Sequence, residues 1–470
     1  MEALEILRQS FKSGITRSLA FRKKQLIALF TMLEEHEKDF IEVLHKDLHK
    51  SAAEAKLSEL LLCKQEISYI LKNMDTWLAN EKVPKTFLTL TDCTWIQRQP
   101  FGVALSIGTW NYPVQLNLIP LIGLLAAGNC VVLKPSEIAV NTEKLLLELI
   151  PKYVDQGVCR VELGDAKRTG ELLKLKFDYI VFTGNSAVAK IVLEAAAKHL
   201  TPVLLELGGK SPTYLDKDVV MKMAARRIIA SKLMNAGQTC IAPDYVLCHR
   251  AVKEPFLCAA IEAIEEFYSA DASTSENYPR IINNKHYHRL MDMIKQTRGK
   301  VAYGGDGKED QLYIAPTIVI LDSVEDILMK SEIFGPVLPI LIVNSEDEAI
   351  EIINNGEKPL AEYVFSNNRE VLSKFELETT SGSLVFNDCV VHCAVKGLPF
   401  GGVGKSGMGS YHGKFSIDSF SHKRGVLDKD TKEIVNNMLR YPPYNKKKES
   451  WADWALKSDA KDSSGFCSIL

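Results

Sequence analysis

Several features that would settle the class of this 470-residue chain at a glance are missing. Its 10 cysteines are scattered, with no C-x-x-C pair and no cysteine–histidine grouping at zinc-ligand spacing, so no metal is expected. No secretory leader follows Met1, and the thiols therefore read as reduced in a cytosolic setting. Neither charge sign dominates: 57 Lys and Arg face 59 Asp and Glu, a net charge of −2, which implies no nucleic-acid partner. Long unbroken apolar runs are also absent. The longest, from Val114 to Leu133, is interrupted by Asn117, Pro120, Gly123 and Asn129. A membrane-spanning helix wants about 20 mostly apolar residues, so this run reads as a buried helix followed by a strand. No internal repeat and no long low-complexity segment stand out. What is present is a composition 46% hydrophobic and 25% charged, enough for a large core shared between two or three domains.

The first 80 or so residues carry helical spacing, with Leu4, Leu7 and Phe11, then Leu26, Leu29, Phe30 and Leu33. Phe87 to Thr91 and Trp95-Ile96 read as a strand-forming arm without flanking helices, one that pairs outside its own domain. From residue 102 a βαβ rhythm begins. Strands are expected at Val103 to Ile107, Cys130 to Leu133, Tyr179 to Phe182 and Val203 to Leu207. Helices are expected at Leu116 to Ala127, Thr142 to Tyr153 and Ser186 to Leu200. A second series follows, with strands at Tyr245 to Cys248 and Val337 to Val343 and helices at Val219 to Met234, Pro255 to Tyr268 and Glu346 to Asn354. Nearly continuous apolar strands between amphipathic helices imply parallel sheets covered on both faces, and two α/β domains with a cleft between them.

Cys240 is the most informative residue. The small-residue loop Asn235-Ala236-Gly237-Gln238-Thr239 leads into it and can expose its sulfur without crowding. A thiol is a useful nucleophile only as thiolate, so its pKa must fall or a base must take its proton. Its attack on an aldehyde makes an oxyanion that needs preorganised N–H donors. Asn111, in Thr109-Trp110-Asn111-Tyr112-Pro113 at the C-terminal end of an expected parallel strand, can supply one, and the Cys240 N–H another. Glu206, ahead of Gly208 and Gly209, suits a general base. Glu332 can hold a ribose hydroxyl pair, with Phe334 packed on a ring. Lys134 and Glu137 can hold adenosine ribose hydroxyls, and a carboxylate there favours NAD over NADP. Thr183-Gly184-Asn185-Ser186 lies between a clear strand and a clear helix. Ser186 can cap that helix, whose free N–H groups can receive pyrophosphate. Gly402 to Gly407 matches G-x-G-x-x-G in letters but lacks the strand and helix around it, so it reads as a tight loop near the substrate. Each segment also has a plain reading: a turn at Asn111, a salt bridge from Glu206 to Lys210, a turn at Glu332, a solvated charge pair at Lys134 and Glu137.

Together these pieces resemble the aldehyde dehydrogenase superfamily. The matches are Trp110-Asn111-Tyr112-Pro113, Lys134-Pro135-Ser136-Glu137, Phe182-Thr183-Gly184, Glu206-Leu207-Gly208-Gly209-Lys210, Gly237-Gln238-Thr239-Cys240 and Glu332-Ile333-Phe334-Gly335-Pro336. They occur in family order over most of residues 5 to 425. The short N-terminus, Ala242-Pro243-Asp244-Tyr245 and Ser410-Tyr411-His412-Gly413-Lys414 look like class 3. The resemblance implies an α/β fold with two Rossmann-type parallel-sheet domains and a small β bridging or oligomerisation domain. It divides the chain into a dinucleotide-binding domain (1–85 and 101–208), a catalytic domain (209–395), bridging segments (86–100 and 396–430) and a tail (431–470). It implies NAD or NADP as cofactor, a small-molecule aldehyde as substrate, and a homodimer in which the arm extends the partner's sheet. It carries the nucleophile to Cys240, the oxyanion donor to Asn111, the hydrolytic base to Glu206, and the nicotinamide ribose to Glu332, which in class 3 can share the base role. Ala189 departs from the family's usual glycine and is expected to add a methyl beside the cofactor.

The chain ends Cys467-Ser468-Ile469-Leu470, a C-a-a-X pattern whose final Leu favours geranylgeranylation by a prenyltransferase, although Ser468 is not aliphatic. One lipid chain anchors weakly. Lys446-Lys447-Lys448 can meet anionic lipid, and Trp451, Trp454 and Ala455 at helical spacing suggest a short interfacial helix near the substrate mouth. A plain polar tail is the other reading. The prenylated B-type members of class 3 are the nearest resemblance, which places the protein on the cytoplasmic face of a membrane and its substrates among medium- to long-chain, lipid-derived aldehydes. Two other functions remain open: an acylating or semialdehyde-type reductase, against which Glu206 argues, and a catalytically silent lipid-anchored scaffold.

Overall fold

The computed structural model of the protein describes residues 2–86, 89–432 and 438–461. Its amino-terminal part is helical, as the spacing predicts: Glu2–Ser13, Leu19–Glu35, Glu37–Leu48 and Leu61–Leu78. Between the last two lie a short helix, Ala52–Ala55, and a π-helical turn, Lys56–Leu60. Ser18 and Ser51 cap their helices by accepting from the Phe21 and Glu54 N–H groups, an arrangement worth about 1 kcal/mol each.

Strands Val103–Ile107, Cys130–Lys134, Cys159–Val161, Tyr179–Thr183 and Val203–Glu206 form a parallel sheet, with Gly407–Met408 antiparallel at its edge. All five residues of the first, second and fourth strands are buried. Burial on both faces explains why the sequence shows apolar runs instead of alternation. Val103–Ile107 pairs on one side with Cys130–Lys134 and on the other with Tyr179–Thr183. Chain order reverses there, and in such sheets a crevice opens beyond the carboxyl ends of the two diverging strands. The loop of residues 108–114 and the segment from Gly184 leave from those ends.

The second sheet runs, in spatial order, Lys300–Tyr303, Thr317–Leu321, Val337–Val343, Tyr245–His249, Pro212–Leu215, Ala361–Phe365 and Ser383–Phe386. Only the first pairing is antiparallel. A third, small antiparallel sheet joins Glu81–Lys82, Cys93–Pro100 and Ser421–Asp428, the last two in register over eight residues. This is the α/β class expected, with two doubly wound sheets and a small β region.

Two details differ from expectation. Of the arm at 87–91, Phe87 and Leu88 lie outside the described residues, and Thr89 and Leu90 form a turn, the strand starting only at Cys93. The Thr86 N–H donates to Thr89 Oγ1 and the Asp92 N–H to the Thr89 carbonyl. Threonine has competed locally for backbone partners that a strand would need. The helix after Tyr179–Thr183 is Ser186–Ala197, and its cap is Asn185, not Ser186. Asn185 Oδ1 accepts from the Val188 N–H at 3.0 Å, while Ser186 Oγ turns to the Lys405 carbonyl at 3.3 Å. Near the C-terminus, Lys446–Lys461 is helical, with Trp451 42% and Trp454 54% exposed and Ala455 buried. No helix among the described residues is long and apolar enough to cross a membrane. Cys467 and the residues around it lie outside the described residues.

Candidate active site

A cleft of about 550 Å³ opens where the first sheet diverges. Its walls include Asn111, Lys134, Glu137, Thr183, Gly184, Asn185, Glu206, Cys240, Glu332 and Phe334, so residues scattered over more than two hundred positions meet in one place. A larger cleft, about 830 Å³, lies behind Gly208 and Glu332 and also touches Ser186, but Cys240 is not among its walls. The chemistry belongs to the smaller one.

Cys240 follows a strained lead-in. Asn235 and Ala236 have φ of 53° and 52°, left-handed values that cost of order 1–3 kcal/mol each and persist only where the surroundings impose them. Gly237, at φ 75°, must be glycine: a Cβ there would stand 2.2 Å from the Gly335 carbonyl. The surroundings are explicit. The Asn235 N–H donates to Glu54 Oε1 at 2.7 Å. Gln238 donates from Nε2 to the Asn235 and Arg280 carbonyls and accepts from the Ile282 N–H, each at 3.0 Å. Asn111 is bonded into the same loop, its Nδ2 donating to the Gln238 carbonyl at 3.0 Å. An Asn side chain has two N–H bonds, so one remains for a ligand. Tyr112 OH and Thr239 Oγ1, 2.7 Å apart, tie the two loops again.

The sulfur is half-buried, and its pKa has not fallen. Burial pushes the thiol well up, and the Glu332 and Glu206 carboxylates add to the effect. The surroundings therefore do not favour the thiolate on their own.

The carboxylates differ from the loops in having few partners. Glu206 is 3% exposed, and neither of its oxygens has a hydrogen-bond partner among the described residues. Burial alone pushes its pKa far above the usual carboxylate range. The anticipated salt bridge to Lys210 does not form. Lys210 Nζ instead bonds Asp244 and the Leu328 carbonyl, the latter at 2.8 Å. Asp244 in turn accepts from the Ile333 N–H at 3.0 Å, which fixes the segment carrying Glu332. Glu332 Oε1 is buried and unpartnered. Burial, followed by repulsion from Asp244, raises the Glu332 carboxyl to about 8. It rests directly over Gly208, where a Cβ would lie 2.3 Å from Glu332 Oε2. Lys232, 1% exposed and without a hydrogen-bond partner among the described residues, is brought down to about 8 by burial.

The other end of the cleft gathers the residues expected to hold a dinucleotide. Lys134 Nζ and Glu137 Oε2 are 2.7 Å apart, so the solvated pair foreseen does form, but Lys134 is buried and both residues face the cleft. The Thr183 hydroxyl is buried and unpartnered. With the two Glu206 oxygens and Glu332 Oε1 it lines the cleft with buried polar atoms that have no partner among the described residues, which fits a site for a polar coenzyme. Phe334, at φ 53°, packs edge-on to Trp110 with ring centroids 5.4 Å apart. Ala189 is placed differently from expectation. It is 2% exposed in the core, and Val188 and Ile191 line the cleft in its stead. The Gly402–Gly407 loop folds against the edge of the first sheet, with Gly407 paired to Glu206. His286 and Arg289, on the helix Asn284–Gln296, also line the cleft and carried no sequence signal. The His286 ring lies 4.9 Å from that of Trp110, tilted by 49°, and burial draws its pKa down to about 4. Among the described residues no group of His, Cys, Asp and Glu is placed to hold a metal.

Residues 2–426 match the model of the aldehyde dehydrogenase family. The chain belongs to the aldehyde dehydrogenase family. Aldehyde dehydrogenase family 3 member B3 of Mus musculus is 47% identical over 459 residues, covering 98% of this chain and 95% of that one. Family 3 member A2 of Pongo abelii is 47% identical, covering 96% and 92%. A substrate-bound Staphylococcus aureus AldH structure superposes with a TM-score of 0.94 at 38% identity, covering 96% of this chain and 98% of that one. An indole-3-acetaldehyde dehydrogenase solved with NAD+ superposes at 0.83 and 26% identity, covering 91% and 88%. The class 3 resemblance is thus borne out. This aldehyde dehydrogenase oxidises aldehydes to carboxylic acids with NAD or NADP.

Proposed function

We propose that Cys240 is the nucleophile of this aldehyde dehydrogenase, that Asn111 Nδ2 and the Cys240 N–H hold the oxyanion, and that Glu206 is the hydrolytic base. The observation that carries the reading is the meeting of these three with Glu332 in one cleft. A carboxylate takes the proton of the Cys240 thiol, and the resulting thiolate adds to the aldehyde carbonyl carbon. Asn111 stabilises the resulting thiohemiacetal oxyanion with its free N–H. Bound NAD or NADP would supply the acceptor for the hydride that leaves the former carbonyl carbon, so that the thiohemiacetal collapses to a thioester on Cys240. Glu206, once ionised, draws a proton from water, which hydrolyses the thioester and frees the acid. Lys134 and Glu137 would hold the adenosine ribose, the start of the helix Ser186–Ala197 would receive pyrophosphate, and Glu332 would bind the nicotinamide ribose. The Glu137 carboxylate favours NAD over NADP.

The preferred substrates are medium- to long-chain, lipid-derived aldehydes. Cys467 is geranylgeranylated by a prenyltransferase. The exposed Trp451 and Trp454, beside Lys446 to Lys448, provide the second contact with the cytoplasmic face of a membrane. Two copies pair through the small sheet, and the domain divisions follow the family's at 85, 100, 208, 395 and 430. Kinetics across an aldehyde chain-length series with NAD and NADP test the specificity: KM falling with chain length supports it, and a preference for two- or three-carbon aldehydes overturns it. Cell fractionation of Cys467→Ser tests the anchor, which predicts release into the soluble fraction.

A further inference from the structure

Residues 50 to 59 stand far from the reaction loop in sequence, yet they grip it from behind. Lys50 and Glu59 are both wholly buried, with Lys50 Nζ 2.6 Å from Glu59 Oε1. Lys50 Nζ also donates to the Asn111 carbonyl at 3.1 Å and lies 3.9 Å over the Tyr112 ring. The other carboxylate oxygen, Glu59 Oε2, accepts from the Val114 and Gln115 N–H groups at 2.7 and 3.1 Å. One ion pair thus fixes both ends of the turn from Asn111 to Gln115. Asn235 Nδ2 takes the remaining acceptor site on the Asn111 carbonyl at 2.7 Å. The Asn111 backbone is therefore held at its carbonyl by two donors, while its side chain keeps one N–H free.

A buried ion pair is a poor way to obtain stability alone, because desolvating both charges offsets most of their attraction and apolar residues of like volume often do as well. Apolar residues could not bond the loop. Glu59 also sits in the π-helical turn Lys56–Leu60, a rare and unfavourable geometry that recurs at functional sites. We propose that Lys50 and Glu59 are positioning residues for the oxyanion step, holding the Asn111 amide in register with the Cys240 sulfur. The proposal rests on Asn111 being the oxyanion donor.

The test is a cycle in the full-length enzyme, joining Lys50→Met/Glu59→Met with Asn111→Ala. The paired Met substitutions keep volume and remove both charges together. Expected are a kcat lower by about 10–100-fold, within the range for a misplaced oxyanion donor, and a coenzyme Kd by fluorescence titration within about two-fold. In the Asn111→Ala background the same pair of substitutions should cost less than about two-fold more, because the group they position is gone. A kcat within two-fold of wild type, or a full further loss on top of Asn111→Ala, overturns the proposal. Normal kcat in Asn111→Ala alone overturns the donor assignment, and the positioning role with it. Should the double Met variant not fold, Glu59→Gln takes its place: a several-fold loss absent from the Asn111→Ala background supports the role, and no loss overturns it.

Discussion

The two sides of the active-site cleft are built on opposite terms. The loops carrying Asn111 and Cys240 are tied down by hydrogen bonds involving Lys50, Glu54, Asn235, Gln238 and Thr239, with Asn235 Oδ1 the exception that has no partner among the described residues. The wall carrying Thr183, Glu206 and Glu332 keeps buried polar oxygens without partners. An oxyanion site gains by not reorganising, so its donors are fixed before substrate arrives. In the roles proposed for Glu206 and Glu332, a base and a coenzyme-binding carboxylate exchange partners and protons at every turnover. An unsatisfied buried group is costly to the fold, so that wall trades stability for reactivity.

The comparison can be broken by substitution. Largest in effect should be Cys240→Ser, which is expected to lower turnover by about 10⁴-fold or more while leaving coenzyme binding intact by fluorescence titration. Persisting oxidation would remove the nucleophile assignment. Glu206→Gln should slow thioester hydrolysis by about 10²–10⁴-fold but preserve the first-turnover burst of reduced coenzyme in stopped flow. A wild-type steady rate would move the base role to Glu332. Asn111→Ala should cut kcat by about 10²–10³-fold and also lower Tm by about 1–2 °C, since it removes one of the two donors, Asn111 Nδ2 and Asn235 Nδ2, on the Gln238 carbonyl. On the opposite wall, activity and stability should diverge. Glu332 has a folded pKa of about 8 against an ordinary value of 4.5. Between those values the folded protein holds a proton that the unfolded chain has released, so its contribution is full below pH 4.5 and is lost as pH rises through 8. Glu332→Gln should therefore raise Tm at pH 8 by about 2–4 °C and leave it unchanged at pH 4.5, as read by calorimetry. If the wild-type Tm advantage at low pH survives in the variant, the carboxyl is not the source.

Much of this architecture was legible before any coordinates. The parallel strands announced themselves because burial on both faces leaves them apolar throughout, and the helix Gln115–Ala127, buried at every position, did so for the same reason. The site segments were legible where a short motif left the end of such a strand, as at Asn111, Lys134 and Glu206. What stayed hidden depended on long-range bonding. Nothing in the letters around Lys50 and Glu59 distinguishes a buried pair from two solvated charges on a helix. Lys210 lies beside Glu206 in sequence but bonds Asp244 in space. Asn185 and Ser186 are both competent caps, and only the Lys405 carbonyl decides which is free. The Ala189 methyl was expected beside the cofactor because the family usually has glycine there; it lies in the core instead, since the face a helix residue presents is fixed only once the neighbouring sheet is placed.

The contacts of Lys50 with Asn111 and of Glu54 with Asn235 carry a warning for fragment design. A shortened chain beginning just before the first core strand would retain both large sheets and every residue that meets the substrate. It would nonetheless lose the braces behind the reaction loop, and such a fragment, even if it fold and bind coenzyme, should be a poor catalyst.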